Sequence, residues 1–212
     1  QVSLEHQLVM MQQIAQGMEH VADHAVVHRD LAARNVLLFK FDVNDVRKTS
    51  VKVTDLGLAT ELNNRTHATL GEGAQPYRYM PPESIQFRQF SEKSDVWAYG
   101  VTCWEILTCA KIPYYNITQD DGVIQFVCSG GRLQRDEIEG ECPDTLWELM
   151  EDCWRTNHGD RPKFSELAVA LGCLDREERI KQLESSFQED LVRKETELAA
   201  EREKLAIKRT EL

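Results

Sequence analysis

His28-Arg29-Asp30-Leu31-Ala32-Ala33-Arg34-Asn35 is the stretch on which the reading of this chain turns. It sets a carboxylate, a guanidinium and a carboxamide on one short segment. The apolar pair Val26-Val27 precedes it and Val36-Leu37-Leu38 follows it. Aliphatic, β-branched runs of this kind read as short strands, so the polar octet reads as a loop held at both ends. Asp30 can accept a proton, and Asn35 presents a hard amide oxygen of the kind that Mg²⁺ takes. Phosphoryl transfer asks little more of a protein than to orient a hydroxyl, hold a metal and neutralise developing charge.

A charged triplet alone is common on any solvated surface, so the segments further along decide the matter. Val51-Lys52-Val53-Thr54-Asp55-Leu56-Gly57 is a β-branched strand that ends in an acidic turn, with Gly57 permitting a tight backbone. Pro81-Pro82-Glu83, Ser94-Asp95-Val96-Trp97-Ala98-Tyr99-Gly100-Val101 and Gly159-Asp160-Arg161-Pro162 follow. Taken singly, an Asp-Leu-Gly is most often an ordinary turn and a Pro-Pro a loop punctuator. Ser and Asp before an apolar run are ordinary helix starts, which puts Asp95 near an N-cap.

In this order, the five segments resemble the protein kinase catalytic domain, and Ala32-Ala33-Arg34 resembles its tyrosine-kinase version. The resemblance covers residues 1–174. It implies a mainly α fold: a protein-kinase-like C-lobe, helical with short β-hairpins at the catalytic loop. It also implies that Asp30 accepts the proton of a tyrosine hydroxyl and that Arg34 helps position acceptor and γ-phosphate. Asn35 and Asp55 would hold Mg²⁺, and Leu37 would lie under the adenine of ATP. Asp95 would anchor the backbone of the catalytic loop, and Glu83 would pair with a buried Arg161. The expected partners are proteins with tyrosine acceptors, and the expected location is cytoplasmic, or the cytoplasmic portion of a membrane receptor.

The small β-rich lobe of that family is not seen in this sequence. There is no Gly-x-Gly-x-x-Gly, no Val-Ala-x-Lys strand and no room for the helix whose glutamate pairs with that lysine; Gly71-x-Gly73 falls elsewhere. The expectation is therefore a C-lobe alone. Two functions stay open: a tyrosine kinase of which this is the catalytic half, and a catalytically inactive pseudokinase or scaffold acting by protein binding.

From Asp55 to Glu83 the resemblance implies the activation segment. Gln75-Pro76-Tyr77-Arg78-Tyr79-Met80 stands where tyrosine kinases usually carry Pro-Ile-Arg-Trp-Met, so Pro76 would shape a shelf for a phenolic side chain and Arg78 would face substrate or phosphate. Tyr79 replaces the usual tryptophan, and Pro81 the usual alanine. Residues 58–74 contain no tyrosine, and His67 stands where the activating one is expected. A phosphate there would dock on an arginine such as Arg29. Either the loop needs no such phosphate, or phosphorylation of Thr66 or Thr69 substitutes for it.

A formal net charge of −11 with no long basic stretch argues against nucleic acid as a partner. No apolar run approaches membrane-spanning length and no signal peptide opens the sequence. The six cysteines form no Cys-x-x-Cys pair and read as reduced thiols. Leu8, Met11, Ile14, Ala15, Met18 and Val21 recur at helical spacing, Val96 to Leu107 reads as a helix buried on most sides, and Phe39 to Ser50 reads as a polar excursion.

After Leu174 the composition changes. Residues 175–212 alternate acids and bases without proline or glycine, a long charged helix by pattern. Leu191, Leu198, Leu205 and Leu212 recur every seven residues, but the companion column Phe187, Lys194, Glu201, Lys208 is mostly charged, which is half a coiled-coil seam. A single solvated helix held by local ion pairs, and a coiled coil with itself or a partner, both fit.

Overall fold

The computed structural model describes residues 2–62, 67–69 and 75–210, with side chains through residue 199. The chain divides into two units, 1–174 and 175–212. The first is built from helices with three short two-stranded sheets, as expected of a kinase C-lobe.

Helix α1 spans Leu4–Asp23, capped by the Ser3 hydroxyl, and buries Leu8, Met11, Ile14, Ala15 and Met18 along one face. The chain then turns through Ala25 (φ 55°) into β1, Val26–Val27. After the octet come β2 (Val36–Lys40) and β3 (Ser50–Val53), an antiparallel hairpin with Val36 opposite Val53. Strand β4 (Thr60–Glu61) returns to pair with β1, while β5 (Ala68–Thr69) pairs with β6 (Gln89–Phe90). The remaining helices are α2 (Pro82–Phe87), α3 (Glu92–Leu107), α4 (Asp120–Cys128), α5 (Asp144–Cys153) and α6 (Phe164–Thr210).

Helix α3 is the axis of the lobe. It starts earlier than its apolar run does, at Glu92, because Ser91 and Ser94 form a reciprocal capping box. Val96, Trp97, Tyr99, Val101, Trp104 and Leu107 are all buried, and the Tyr99 hydroxyl donates to the Met11 carbonyl of α1 at 2.9 Å. Gly100 lets α5 come close. A Cβ there would stand 2.7 Å from the Trp154 indole nitrogen and 2.8 Å from Cys153 Cβ. The buried Arg161 makes two bonds to Glu83, at 2.6 and 2.9 Å, joining the end of the activation segment to the late part of the lobe. Its guanidinium also lies 5.0 Å from the Trp97 ring.

The excursion between β2 and β3 is an ordinary polar loop: Asp42 is taken by Lys48 and Asp45 by Arg47. All six cysteines are free; Cys103 is buried in α3, whereas Cys109, at φ 54° just beyond it, is exposed. No helix among the described residues is long and apolar enough to cross a membrane.

Candidate active site

The octet is a loop fastened from behind. Asp95, in the first turn of α3 and buried, accepts the backbone N–H of His28 at 2.7 Å and that of Arg29 at 2.9 Å. Both carboxylate oxygens are thus spent on the turn where Arg29 takes the left-handed conformation (φ 71°). Burial pushes the Asp95 carboxyl up to about 7, against the two N–H donors, which favour its charged form.

His28 is fully buried and works in both directions. Its Nε2 donates to the Thr54 carbonyl at 3.1 Å, which leaves Nδ1 to accept the Asp30 N–H at 3.3 Å. Thr54 in turn donates its N–H and its hydroxyl to the Asn35 carbonyl, at 2.8 and 3.0 Å. The residue before Asp55 is therefore tied to both ends of the octet, a coupling that nothing in the spacing of the motifs announces.

On the outer side, Asp30 Oδ1 takes the Arg34 guanidinium and Oδ2 accepts Asn35 Nδ2 at 2.9 Å. Asn35 Nδ2 also donates to the Asp30 carbonyl at 2.6 Å. Both bonds run through the nitrogen, so the Oδ1 of the amide is not spent on Asp30. Asp55 sits in the left-handed region (φ 62°), exposed, with Oδ1 accepting the Gly57 N–H at 3.1 Å. The β2–β3 ladder sets Asn35 beside Thr54, so an amide oxygen and a carboxylate stand at the same end of one hairpin. That hard-oxygen pair fits a divalent cation of the Mg²⁺ kind. Leu37 lies on β2 opposite Lys52, half exposed, on the same strand face as Phe39, over whose ring the Lys52 ammonium lies.

Glu105, which the motifs leave unremarked, and Tyr79, which they mark only as a replacement for tryptophan, complete the back wall. Glu105 of α3, buried, accepts the Ala33 N–H at 2.9 Å on one oxygen and the Tyr79 hydroxyl at 2.8 Å on the other. Burial raises this carboxyl above the usual range, and raises the Tyr79 phenol as well. The Tyr79 ring carries the Arg34 guanidinium 5.0 Å from its centroid. The phenol standing in place of the expected tryptophan thus links the arginine, the octet backbone and α3.

Arg78 departs from expectation. Its guanidinium faces neither substrate nor phosphate: it donates to the carbonyls of Pro113, Tyr114 and Ile117 at 2.8–3.1 Å and pairs with Asp120. Several carbonyls converging on one guanidinium consume it as a structural plug. Arg29, expected to await a phosphate, donates to the Leu58 carbonyl at 2.6 Å and to the Thr60 hydroxyl at 3.3 Å, and lies over the Phe90 ring. Thr69 pairs with Gln89 in the sheet of β5 and β6, while Thr66, Gly71 and Gly73 lie outside the described residues. A cavity lined by Ala22, Val26, Leu62, His67, Glu83 and His158 is separate from the octet's outer side, and none of Asp30, Asn35 or Asp55 lines it.

The sequence profile of the family described as protein tyrosine and serine/threonine kinase matches residues 1–171. Among curated proteins, the inactive tyrosine-protein kinase 7 of Gallus gallus is 40% identical over 171 residues, which are 81% of this chain and 15% of that protein. The ephrin type-A receptor 5 of Gallus gallus is 42% identical over 169 residues, 79% of this chain and 16% of the receptor. The vascular endothelial growth factor receptor 1 of Gallus gallus is 38% identical over 163 residues, 76% of this chain and 12% of the receptor. The chain thus spans only a small part of the length of these relatives. With a family match over most of its length and tyrosine kinases among its relatives, the chain belongs to the protein tyrosine and serine/threonine kinase family, as a tyrosine-kinase-type C-lobe.

Proposed function

We propose that this chain is the catalytic half of a protein tyrosine kinase, transferring the γ-phosphate of ATP to tyrosine hydroxyls of protein substrates. The observation that carries the reading is the outer side of the octet. Asp30 is held between Arg34 and Asn35 with its carboxylate turned outward, on a backbone fixed by Asp95. A carboxylate so placed aligns an acceptor hydroxyl and takes its proton as the new O–P bond forms. Arg34, half exposed, can leave Asp30 for the γ-phosphate when substrate arrives, and the Tyr79 ring keeps it within reach. Asn35 Oδ1 and the Asp55 carboxylate would hold Mg²⁺, which when bound neutralises charge on the phosphates. Leu37 offers the adenine an apolar surface. The exposed apolar side chains of Leu37 and Phe39 on one face of β2 suit packing by the family's β-rich lobe, on the cytoplasmic side of a receptor or in a cytoplasmic kinase.

A second reading is favoured by one observation, the 40% identity to a relative named as inactive. In that reading the lobe binds proteins and transfers nothing. Retention of Asp30, Asn35 and Asp55 supports activity. The test uses the protein carrying its whole kinase domain, assayed for phosphotyrosine on a tyrosine polymer and on itself. Wild type should be active and Asp30→Asn should lose at least about a thousandfold in kcat, the scale of a removed general base with its positioning role. An active Asp30→Asn protein overturns the assignment of Asp30, and an inactive wild type with intact fold establishes the binding reading.

A further inference from the structure

The second unit carries an apolar face that its own ion pairs leave uncovered. Ile180, Leu183, Phe187, Leu191 and Leu198 of α6 are between 39% and 70% exposed. At the α-helical turn of 100° per residue, they fall within an arc of about 80°. Their spacing of three, four, four and seven residues follows a straight helix better than a heptad. The leucine column read at seven-residue steps is therefore only the C-terminal part of a longer stripe that begins at Ile180. The local ion pairs Asp175–Arg179, Glu178–Lys181 and Asp190–Arg193 lie to the sides and back of that arc and stiffen the helix without covering it.

We propose that this stripe pairs antiparallel with the same stripe of a second copy of the chain. Charge selects the occupant and its direction. Residues 175–190 hold six acids against three bases, whereas 191–212 hold six bases against five acids. Parallel pairing would set Lys194, which falls inside the arc, beside its own copy, within the distance over which like charges repel. Antiparallel pairing about the midpoint between Val192 and Arg193 sets Phe187 level with Leu198 at two equivalent places. It sets Leu191 level with Lys194, whose methylene stem can lie over an aliphatic neighbour. Glu177, on one flank of the arc, then comes level with helix positions 207–209, where the sequence carries Lys208 and Arg209. The contact is self-complementary, as a two-fold dimer requires.

Sedimentation equilibrium of the whole chain, with a mixed cross-linking experiment, tests this. The wild type should sediment as two chains, and added salt should weaken the pairing. Phe187→Asp with Leu198→Asp should give one chain with unchanged unfolding of the lobe. For direction, isotopically distinct copies carrying Glu177→Cys and Arg209→Cys, both on one flank of the arc, are oxidised together and their joined peptides identified by mass spectrometry, which separates them from products of the native cysteines. A 177–209 bond between copies is expected. Bonds of 177 to 177 and 209 to 209 overturn the antiparallel arrangement. A single chain at every concentration overturns the pairing, as does a dimer that survives the double substitution. None of these outcomes depends on catalytic activity.

Discussion

The two sides of the octet are built on opposite principles. Behind it, Asp95, Glu105 and His28 are buried, and their polar atoms are matched to backbone N–H and C=O groups or to the Tyr79 hydroxyl. In front, Asp30, Arg34 and Asp55 reach water; Asp30 and Arg34 hold each other, and Asp55 holds only the Gly57 N–H, through bonds that can be exchanged for substrate. Buried, satisfied polar groups are costly to disturb, whereas exposed pairs contribute little to stability. The back should govern whether the lobe folds, and the front whether it reacts.

The sharpest way to break that division is Glu83→Gln, which strands the fully buried Arg161 side chain. It should cost about 3–5 kcal/mol in urea unfolding, and a cost below about 1 kcal/mol would mean the pair is not a support at all. Next comes pH. The folded-state pKa of Asp95 is raised to about 7 from 3.8, so its contribution is fully present below the unfolded value and is lost as pH rises through about 7. Unfolding free energy should therefore fall by roughly 2–3 kcal/mol between pH 5 and pH 8 from this group. The difference should be missing from Asp95→Asn, and an equal slope in both proteins would assign it elsewhere.

Tyr79→Phe keeps the ring under Arg34 and removes the hydroxyl from Glu105. It should cost about 1.5 kcal/mol, the scale of a hydrogen bond to a charged group, with faster exchange of the Ala33 amide. Unchanged Ala33 exchange would separate Tyr79 from the back wall. Smallest should be the effect of Asp30→Asn on stability, under about 1 kcal/mol, since its partner Arg34 is half exposed. A larger loss would move Asp30 from the front to the back.

What the sequence discloses follows the same line. The motif residues at the front, the helical period of α1 and the apolar run of α3 are legible because they repeat or stand in recognisable groups. The back is partly hidden. Asp95 and the Glu83–Arg161 pair come with the family resemblance. Glu105 does not, because one acid inside an apolar run carries no local mark of the two donors it serves. Arg78 misleads for a related reason. An arginine beside a substrate shelf suggests an anion, and only the fold brings the 113–118 carbonyls to it. The stripe on α6 is missed at heptad spacing because Phe187, Leu183 and Ile180 follow the untwisted helical period.

The Arg78 plug has a consequence for how the molecule comes apart. The stretch from Pro113 to Thr118 has its shape imposed by a side chain some 35 residues earlier in sequence, through the carbonyls it gathers. Three nearby residues, Cys109, Ala110 and Tyr114, already hold left-handed backbone (φ 54–70°), a conformation disfavoured for side-chain-bearing residues. Opening this segment relieves that strain but exposes Tyr114, which is buried in the core, so the Arg78 bonds and the Tyr114 packing hold it closed together. A lysine at position 78 would keep the charge but lose the fork that gathers several carbonyls, so it should open this segment to proteolysis sooner than in the wild type.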